Sequence, residues 1–211
     1  MAGKRFAFPG HFPLRIPQCA RKGAILCTHM ILEKLGQFVD PNVVVSHFHL
    51  REGERVADFG AGTGFYLPPL SAAVGGTGRV YACEIQKSLV EKLAQTAREK
   101  HLTNVEPLWC DLEAVGGTKL ADGMLDAALL ANTFFQLEEK EMALREIMRV
   151  VRSGGKVFII DWTDSFGGMG PQPQYVVTAE RAKEYFKNAG FSFEREFPTG
   201  DHHYGLVMRR V

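Results

Sequence analysis

Residues 56 to 64 read Val-Ala-Asp-Phe-Gly-Ala-Gly-Thr-Gly. A short apolar strand runs into glycines at alternate positions, Gly60, Gly62 and Gly64, and the acid Asp58 stands two residues before the first of them. Glycines so spaced let the backbone turn sharply and approach a ligand with no Cβ in the way. The residues beyond, Phe65-Tyr66-Leu67 through Val74, can continue as a helix. Strand, turn and helix N-terminus then form a nucleotide-binding crossover. The spacing is D-x-G-x-G-x-G, not the G-x-G-x-x-G of a dinucleotide fingerprint. The plainer alternative is an ordinary glycine-rich turn. Glu84 lies 20 residues beyond Gly64, where a carboxylate can accept from both hydroxyls of a ribose; otherwise it is a surface glutamate. Asp111, after Trp109-Cys110, is a second acid that either meets a ligand or caps a turn. Asp201-His202-His203-Tyr204 could supply a general base near neutral pH or be a polar turn.

These groups work together only if the chain brings them to one edge, and its periodicity says how. Ala24 to Phe38 carries a helical stripe. Asp40-Pro41 starts a second helix running to about Leu50. Strands are expected at 55–59, 79–83, 105–109, 125–130 and 156–160, with helices at 67–74, 86–100 and 138–151 between them. Ser153-Gly154-Gly155 is expected to be the tight connection into the fifth strand. Such alternation means βαβ units and a mostly parallel sheet. The last third changes rhythm. Helix 178–189 is followed by strands 191–197 and 203–209, joined by so short a turn that they must be antiparallel. In an open α/β sheet the ligand lies beyond the carboxyl ends of the strands. Glu84, Asp111, Asn132 and Asp161 all stand at such ends, and so does the turn carrying His202, His203 and Tyr204.

Composition narrows the field. The 211 residues suit one α/β domain, and 45% hydrophobic with 23% charged residues is ordinary for a globular protein. No apolar run approaches the ~20 residues that span a bilayer. Proline, histidine and arginine interrupt the N-terminus, so no secretory signal is expected. Cys19, Cys27, Cys83 and Cys110 are far apart and read as reduced thiols of a cytoplasmic protein, or as a thiol set for arsenite chemistry. The net charge of +1 gives no global attraction for nucleic acid. Residues 1–24 are nevertheless basic, through Lys4, Arg5, Arg15, Arg21 and Lys22. They form either a flexible tail or a lid over cofactor and substrate, beside a domain at 25–211. A metal site from His11, His47 and His49 is the remaining alternative.

The D-x-G-x-G-x-G motif and the antiparallel ending together resemble class I S-adenosylmethionine-dependent methyltransferases. Over residues 40 to 211 the chain is similar to the ubiquinone/menaquinone-biosynthesis C-methyltransferases and their small-molecule relatives. The resemblance implies an α/β Rossmann-like fold: a seven-stranded, mostly parallel sheet ending in an antiparallel hairpin, with helices on both faces. It implies S-adenosylmethionine as cofactor. Asp58 would meet the loop amides or the cofactor ammonium. Gly60, Ala61, Gly62, Gly64 and Tyr66 would line the amino-acid part. Glu84 and Ile85 would meet the ribose side, and Asp111 with the Leu112 amide the adenine. Asn132 would lie near the sulfonium. Phe134 and Phe135, where relatives often show Leu-His-His, would shape an acceptor pocket or belong to the core. The absence of N-P-P-Y there argues against methylation of adenine or glutamine amino groups. His202, His203, Tyr204 and Asp161 are the candidates for any catalytic base. The acceptor implied is a small molecule moved to by in-line displacement. The rivals are a protein or RNA methyltransferase, a nicotinamide oxidoreductase, and a binding protein without catalysis.

Overall fold

The computed structural model describes residues 40–165 and 170–211. The proposed arm at 1–24, the first helix at 24–38, and Cys19, Cys27 and His11 lie outside the described residues. The body carrying the sheet runs from Gln37 to Val211.

Seven strands form one sheet: β1 (Arg55–Phe59), β2 (Arg79–Glu84), β3 (Val105–Trp109), β4 (Leu125–Ala131), β5 (Val151–Trp162), β6 (Phe191–Glu196) and β7 (His203–Arg210). Their spatial order is β3-β2-β1-β4-β5-β7-β6. The first five are parallel, and β7 is antiparallel to both β5 and β6. The expected antiparallel ending is therefore present. The order reverses between β1 and β4, and that switch point is where open α/β sheets open a crevice for ligands.

Helices cover both faces. On one side lie α1 (Pro41–Ser46), α2 (Leu67–Val74) and α3 (Lys87–Glu99), which bury Val44, Val45, Leu67, Leu70, Val74, Leu93 and Ala97 against the sheet. On the other lie α4 (Lys140–Val150) and α5 (Ala179–Asn188), through Leu144, Ile147, Val150, Ala182 and Phe186. The local chemistry explains the boundaries. The Asp40 carboxylate accepts from the Asn42 amide at 2.8 Å and caps α1. Prolines open α2, where their missing amides would have had no partner in any case. The Thr178 hydroxyl caps α5 by accepting from the Arg181 amide.

Two expectations are corrected. The second helix does not reach Leu50. It ends at Ser46, and His49 takes a left-handed φ of +51°, because the chain must bend to seat Phe48. That ring stacks on Phe158 at 4.0 Å and meets Phe197 edge-on, an anchor worth about 1.5–3 kcal/mol of burial. His47 and His49 thus lie at and beyond the helix end, not on it. Ser153-Gly154-Gly155 is not a connection before the fifth strand but part of it. Leu125 pairs with Val151, yet Ala127 pairs with Lys156, so β5 bulges there. Gly154 takes φ +73°, and a Cβ on Gly155 would stand 2.7 Å from Val151.

A buried ionic knot fastens α4 to the loop before β4. Glu146 is fully buried and accepts from the amides of Gly116 and Thr118, the Thr118 hydroxyl and the Arg149 guanidinium. Burial alone would raise its pKa, but these donors outweigh burial and hold it at about 2. Removing the charge with Glu146→Gln should cost about 3–5 kcal/mol, because Arg149 keeps only the exposed Asp122 as counter-charge and an NH2 replaces one of the two oxygens that accept from the amides. The depressed pKa fixes the sign with pH. The benefit is full above the ordinary glutamate range and fades as pH falls toward about 2. Urea unfolding of both proteins between pH 7 and pH 3 should show their gap narrowing.

Candidate active site

The glycine loop emerges from β1 at the switch point. Gly60, Gly62 and Gly64 all adopt positive φ, at +76°, +55° and +85°, a region closed to most side chains. Gly60 is also pressed from the side. A Cβ there would stand 2.5 Å from the Thr133 hydroxyl, which donates to the Phe59 or Ala131 carbonyl at 3.1 Å. Above Gly62 the space is open, with nothing nearer than 3.9 Å to a built Cβ.

Glu84, at the end of β2, organises the loop. One carboxylate oxygen accepts from the Gly62 amide at 3.1 Å and the other from the Gln86 amide at 2.9 Å. Its own carbonyl accepts from the Cys110 amide at 3.1 Å. Of the loop amides left open for Asp58 beside the cofactor ammonium, that of Gly62 goes to Glu84, and those of Gly60 and Ala61 go to the Cys83 carbonyl. Asp58 is buried below the loop, and its carboxyl is pushed up to about 7, first by desolvation and then by the charge of Glu84. Tyr66 stands at the start of α2, its phenol also pushed up by burial and by Asp58.

A cavity of about 100 Å³ adjoins the loop. Its walls include Gly60, Glu84, Ile85, Asp111 and Leu112, so five residues predicted for one cofactor share one hollow. Asp111 accepts from the Glu113 amide at 2.9 Å; it caps a turn while facing the cavity. Ile85 is half exposed, and its carbonyl is held by the Trp109 indole at 2.7 Å. Sequence reasoning missed Thr133, Leu137, and the thiols of Cys83 and Cys110 as walls of the same cavity. Only the strand register exposes them: Cys83 and Cys110 lie at the ends of neighbouring strands. Both thiols are free and buried.

Asn132 follows β4 with φ +54°. Its amide donates to the Ile160 carbonyl at 2.8 Å, which clamps the end of β4 to β5. Its side-chain oxygen is buried without a partner among the described residues, an expensive arrangement for a residue that only folds. Phe134 is core, packed on Tyr185 and Phe186. The Phe135 amide donates to Asp161 at 2.9 Å.

Asp161 spends its other oxygen on the Trp162 amide at 2.9 Å. Desolvation raises its pKa to about 6, against the lowering effect of those two amides. Tyr204 pairs across the strands with Asp161; burial raises its phenol further. His203 lies against Trp162 with ring centroids 4.2 Å apart, and burial lowers its pKa, followed by the charge of His202. His202 faces Asp164 at 3.1 Å. The hairpin turn thus stands at the carboxyl end of β5, as expected. Among the described residues no cluster of three or more His, Cys, Asp or Glu could hold a metal. No helix among them is long and apolar enough to cross a membrane.

Comparison with known proteins agrees with this geometry. The family described as "Methyltransferase domain" matches residues 57–159, from β1 into β5. The ubiquinone/menaquinone biosynthesis C-methyltransferase UbiE of Yersinia pestis bv. Antiqua is 29% identical over 115 residues, which cover 54% of this chain and 45% of that protein. The match spans about half the length of the curated relatives. The crystal structure of a SAM-dependent methyltransferase from Aquifex aeolicus is 32% identical with a TM-score of 0.77, over 83% of this chain and 92% of that one. The cyclase SpnF, at 18% identity and a TM-score of 0.67 over 80% of each chain, shares the fold alone. With the glycine loop, the acids at successive strand ends and the antiparallel final strand in place, the chain belongs to the class I S-adenosylmethionine-dependent methyltransferases.

Proposed function

We propose that the protein binds S-adenosylmethionine across the ends of β1, β2 and β3 and passes its methyl group to a small-molecule acceptor. The observation that carries this is the tie between Glu84 and the Gly62 amide, which holds an open glycine loop beside the cavity reaching Asp111. The residues fit the cofactor. Each oxygen of an ionised carboxylate can accept more than one hydrogen bond, so Glu84 keeps acceptor capacity for two ribose hydroxyls. Asp111 and the Leu112 backbone would meet the adenine edge. Asp58 would hold the ammonium. Asn132, with its unpartnered side-chain oxygen, would lie beside the methyl.

Bound there, S-adenosylmethionine would supply an electrophilic methyl on a sulfonium whose neutral thioether is a good leaving group. The protein's part is then largely positional. The loop and Asn132 fix the line of attack, and a nucleophile held about 3 Å away along that line gains much of the rate. A small acceptor is favoured over RNA because the net charge of +1 supplies no field for a polyanion. We place the protein in the cytoplasm, where Cys83 and Cys110 stay reduced.

A screen of labelled cofactor against quinol, thiol, lipid, tRNA and protein pools tests the acceptor class. Label appearing in tRNA or protein and not in the small-molecule pools would overturn this assignment. Glu84→Ala should weaken S-adenosylhomocysteine binding by at least about tenfold per lost ribose bond, since hydrogen bonds to a charged group contribute about 1.5–3 kcal/mol each. Calorimetry reads the loss, and unchanged affinity would refute the assignment. The raised pKa of Asp58 makes a second prediction. Near pH 7 this carboxyl is partly protonated, and a bound ammonium favours the anion. Binding should therefore release a proton, and affinity should fall as pH drops below about 7. Titrations in buffers of different ionisation enthalpy measure that proton. Asp58→Asn should abolish the release.

A further inference from the structure

We propose that Cys83 and Cys110 form a modification site in the wall of the cavity beside the glycine loop: a hydroperoxide oxidises them to a disulfide, and the bridge closes the protein to its cofactor. The inference rests on the cofactor lying in that cavity. Both cysteines border it, and both are free and buried. Neither has a part in the transfer proposed above. They stand on neighbouring strands. Cys83 of β2 pairs with Leu108 of β3, and Cys110 follows two residues after Leu108, so both side chains leave the same face of the sheet. They belong to one apolar cluster on that face. The Cys83 thiol donates to the Cys110 sulfur, which lowers the Cys110 pKa against the opposing effect of burial; the Glu84 backbone and Lys119 lower it further. The same contact, with burial, holds Cys83 well above the ordinary thiol range. Cys110 is thus the attacking thiolate and Cys83 the protonated partner, as a reactive cysteine and its resolving cysteine require.

The pair is coupled to the whole cavity wall. The Cys83 carbonyl accepts from the Gly60 and Ala61 amides at 2.9 and 3.0 Å, and the Cys110 amide donates to the Glu84 carbonyl at 3.1 Å. Each cysteine directly precedes an acid proposed for the cofactor, Glu84 and Asp111. Strands ~4.8 Å apart with a rise of ~3.3 Å per residue set the Cα atoms of such a diagonal pair about 8 Å apart. A relaxed disulfide takes about 4.4–6.8 Å. The bridge therefore forms as the ends of β2 and β3 close by about 1 Å or more, and the glycine loop, Glu84 and Asp111 move with them. A disulfide made against the backbone is strained and readily reduced, so the modification is reversible. The cavity of about 100 Å³ admits a small hydroperoxide, since a water molecule takes about 30 Å³ in the liquid. A bound cofactor fills the same space and shields the thiols.

The chemistry balances in two steps. The Cys110 thiolate attacks one peroxide oxygen. The sulfur–oxygen bond forms, the oxygen–oxygen bond breaks, and the leaving hydroxide takes a proton to become water. The sulfur is oxidised by two electrons to a sulfenic acid, and the peroxide is reduced. The Cys83 sulfur then attacks the sulfenic sulfur. The disulfide bond forms, the sulfur–oxygen bond breaks, and the departing hydroxide leaves as water with the Cys83 proton. Two thiols and one hydrogen peroxide give one disulfide and two waters.

The test treats the full chain with hydrogen peroxide and follows it by peptide mapping, which separates this pair from Cys19 and Cys27 among the four cysteines. A Cys83–Cys110 cross-linked peptide should appear, and saturating S-adenosylhomocysteine should slow its appearance at least tenfold. The cross-linked protein should bind S-adenosylhomocysteine at least tenfold more weakly by calorimetry, and dithiothreitol should restore the affinity. Cys83→Ser should leave Cys110 as a sulfenic acid that dimedone traps. Cys110→Ser should have the same affinity after peroxide as before it. Should either variant fail to fold, the wild-type mapping and calorimetry decide alone. The proposal falls if the reduced protein binds S-adenosylhomocysteine but peroxide yields no Cys83–Cys110 peptide, or if the cross-linked protein keeps its affinity. A reduced protein that binds no S-adenosylhomocysteine would instead remove the cofactor assignment, and the blockade with it.

Discussion

Glu84 ties three crossovers together, and the glycine loop with the cavity beside it depends on it. Its two carboxylate oxygens hold the amides of Gly62 and Gln86, and its carbonyl holds the amide of Cys110. One residue thereby joins the loop after β1, the entry to α3 and the exit of β3. Hydrogen bonds to a charged acceptor are about twice as strong as neutral ones, and this one is buried, so water does not compete. The loop can take three left-handed glycines in five residues because its free amides are given a fixed destination. The residue proposed to meet a ribose is also the one that shapes the loop.

That arrangement has an electrostatic cost. Placing Asp58 under the same loop puts a second carboxyl close to Glu84 in a region closed to water, and Asp58 answers by holding its proton up to about 7. A cation arriving between the two acids would relieve both the desolvation and the repulsion. Asn132 carries a similar tension in uncharged form, through its left-handed backbone and an unpartnered buried oxygen. Strain of this kind persists only where the surroundings over-determine it. Here the surroundings are the Ile160 carbonyl, the Gln136 side chain and the sheet behind them. Farther along the same edge, β6 carries the chain to the carboxyl end of β5, and the antiparallel β7 starts there. A wholly parallel sheet would have sent His202 to the opposite edge.

Much of this was legible in the chain itself. Glycines at 60, 62 and 64 after an apolar strand could serve few other purposes, and acids at 84 and 111 fall at strand ends that periodicity alone locates. The alternation of strand and helix, the Asp40 and Thr178 caps and the antiparallel close are local or near-local properties, set by side-chain period, capping and turn length. Where that logic failed, a distant contact had intervened. The first described helix stops at Ser46 because Phe48 must reach Phe158, more than a hundred residues away. Gly154 and Gly155 read as a turn, but β4 on one side and β7 on the other keep the chain in the sheet and convert them into a bulge.

The sequence by itself determined the fold class, the glycine loop and the acids around it, because these depend on residue type and short spacing. Only the tertiary structure decided which group each acid answers. Gly62 goes to Glu84 and not to Asp58; Asp161 turns inward to two amides; Asp164, 38 residues before His202, becomes its partner. Such pairings are set by strand register across the sheet. No period or motif within one segment carries register between strands that meet only when the sheet closes.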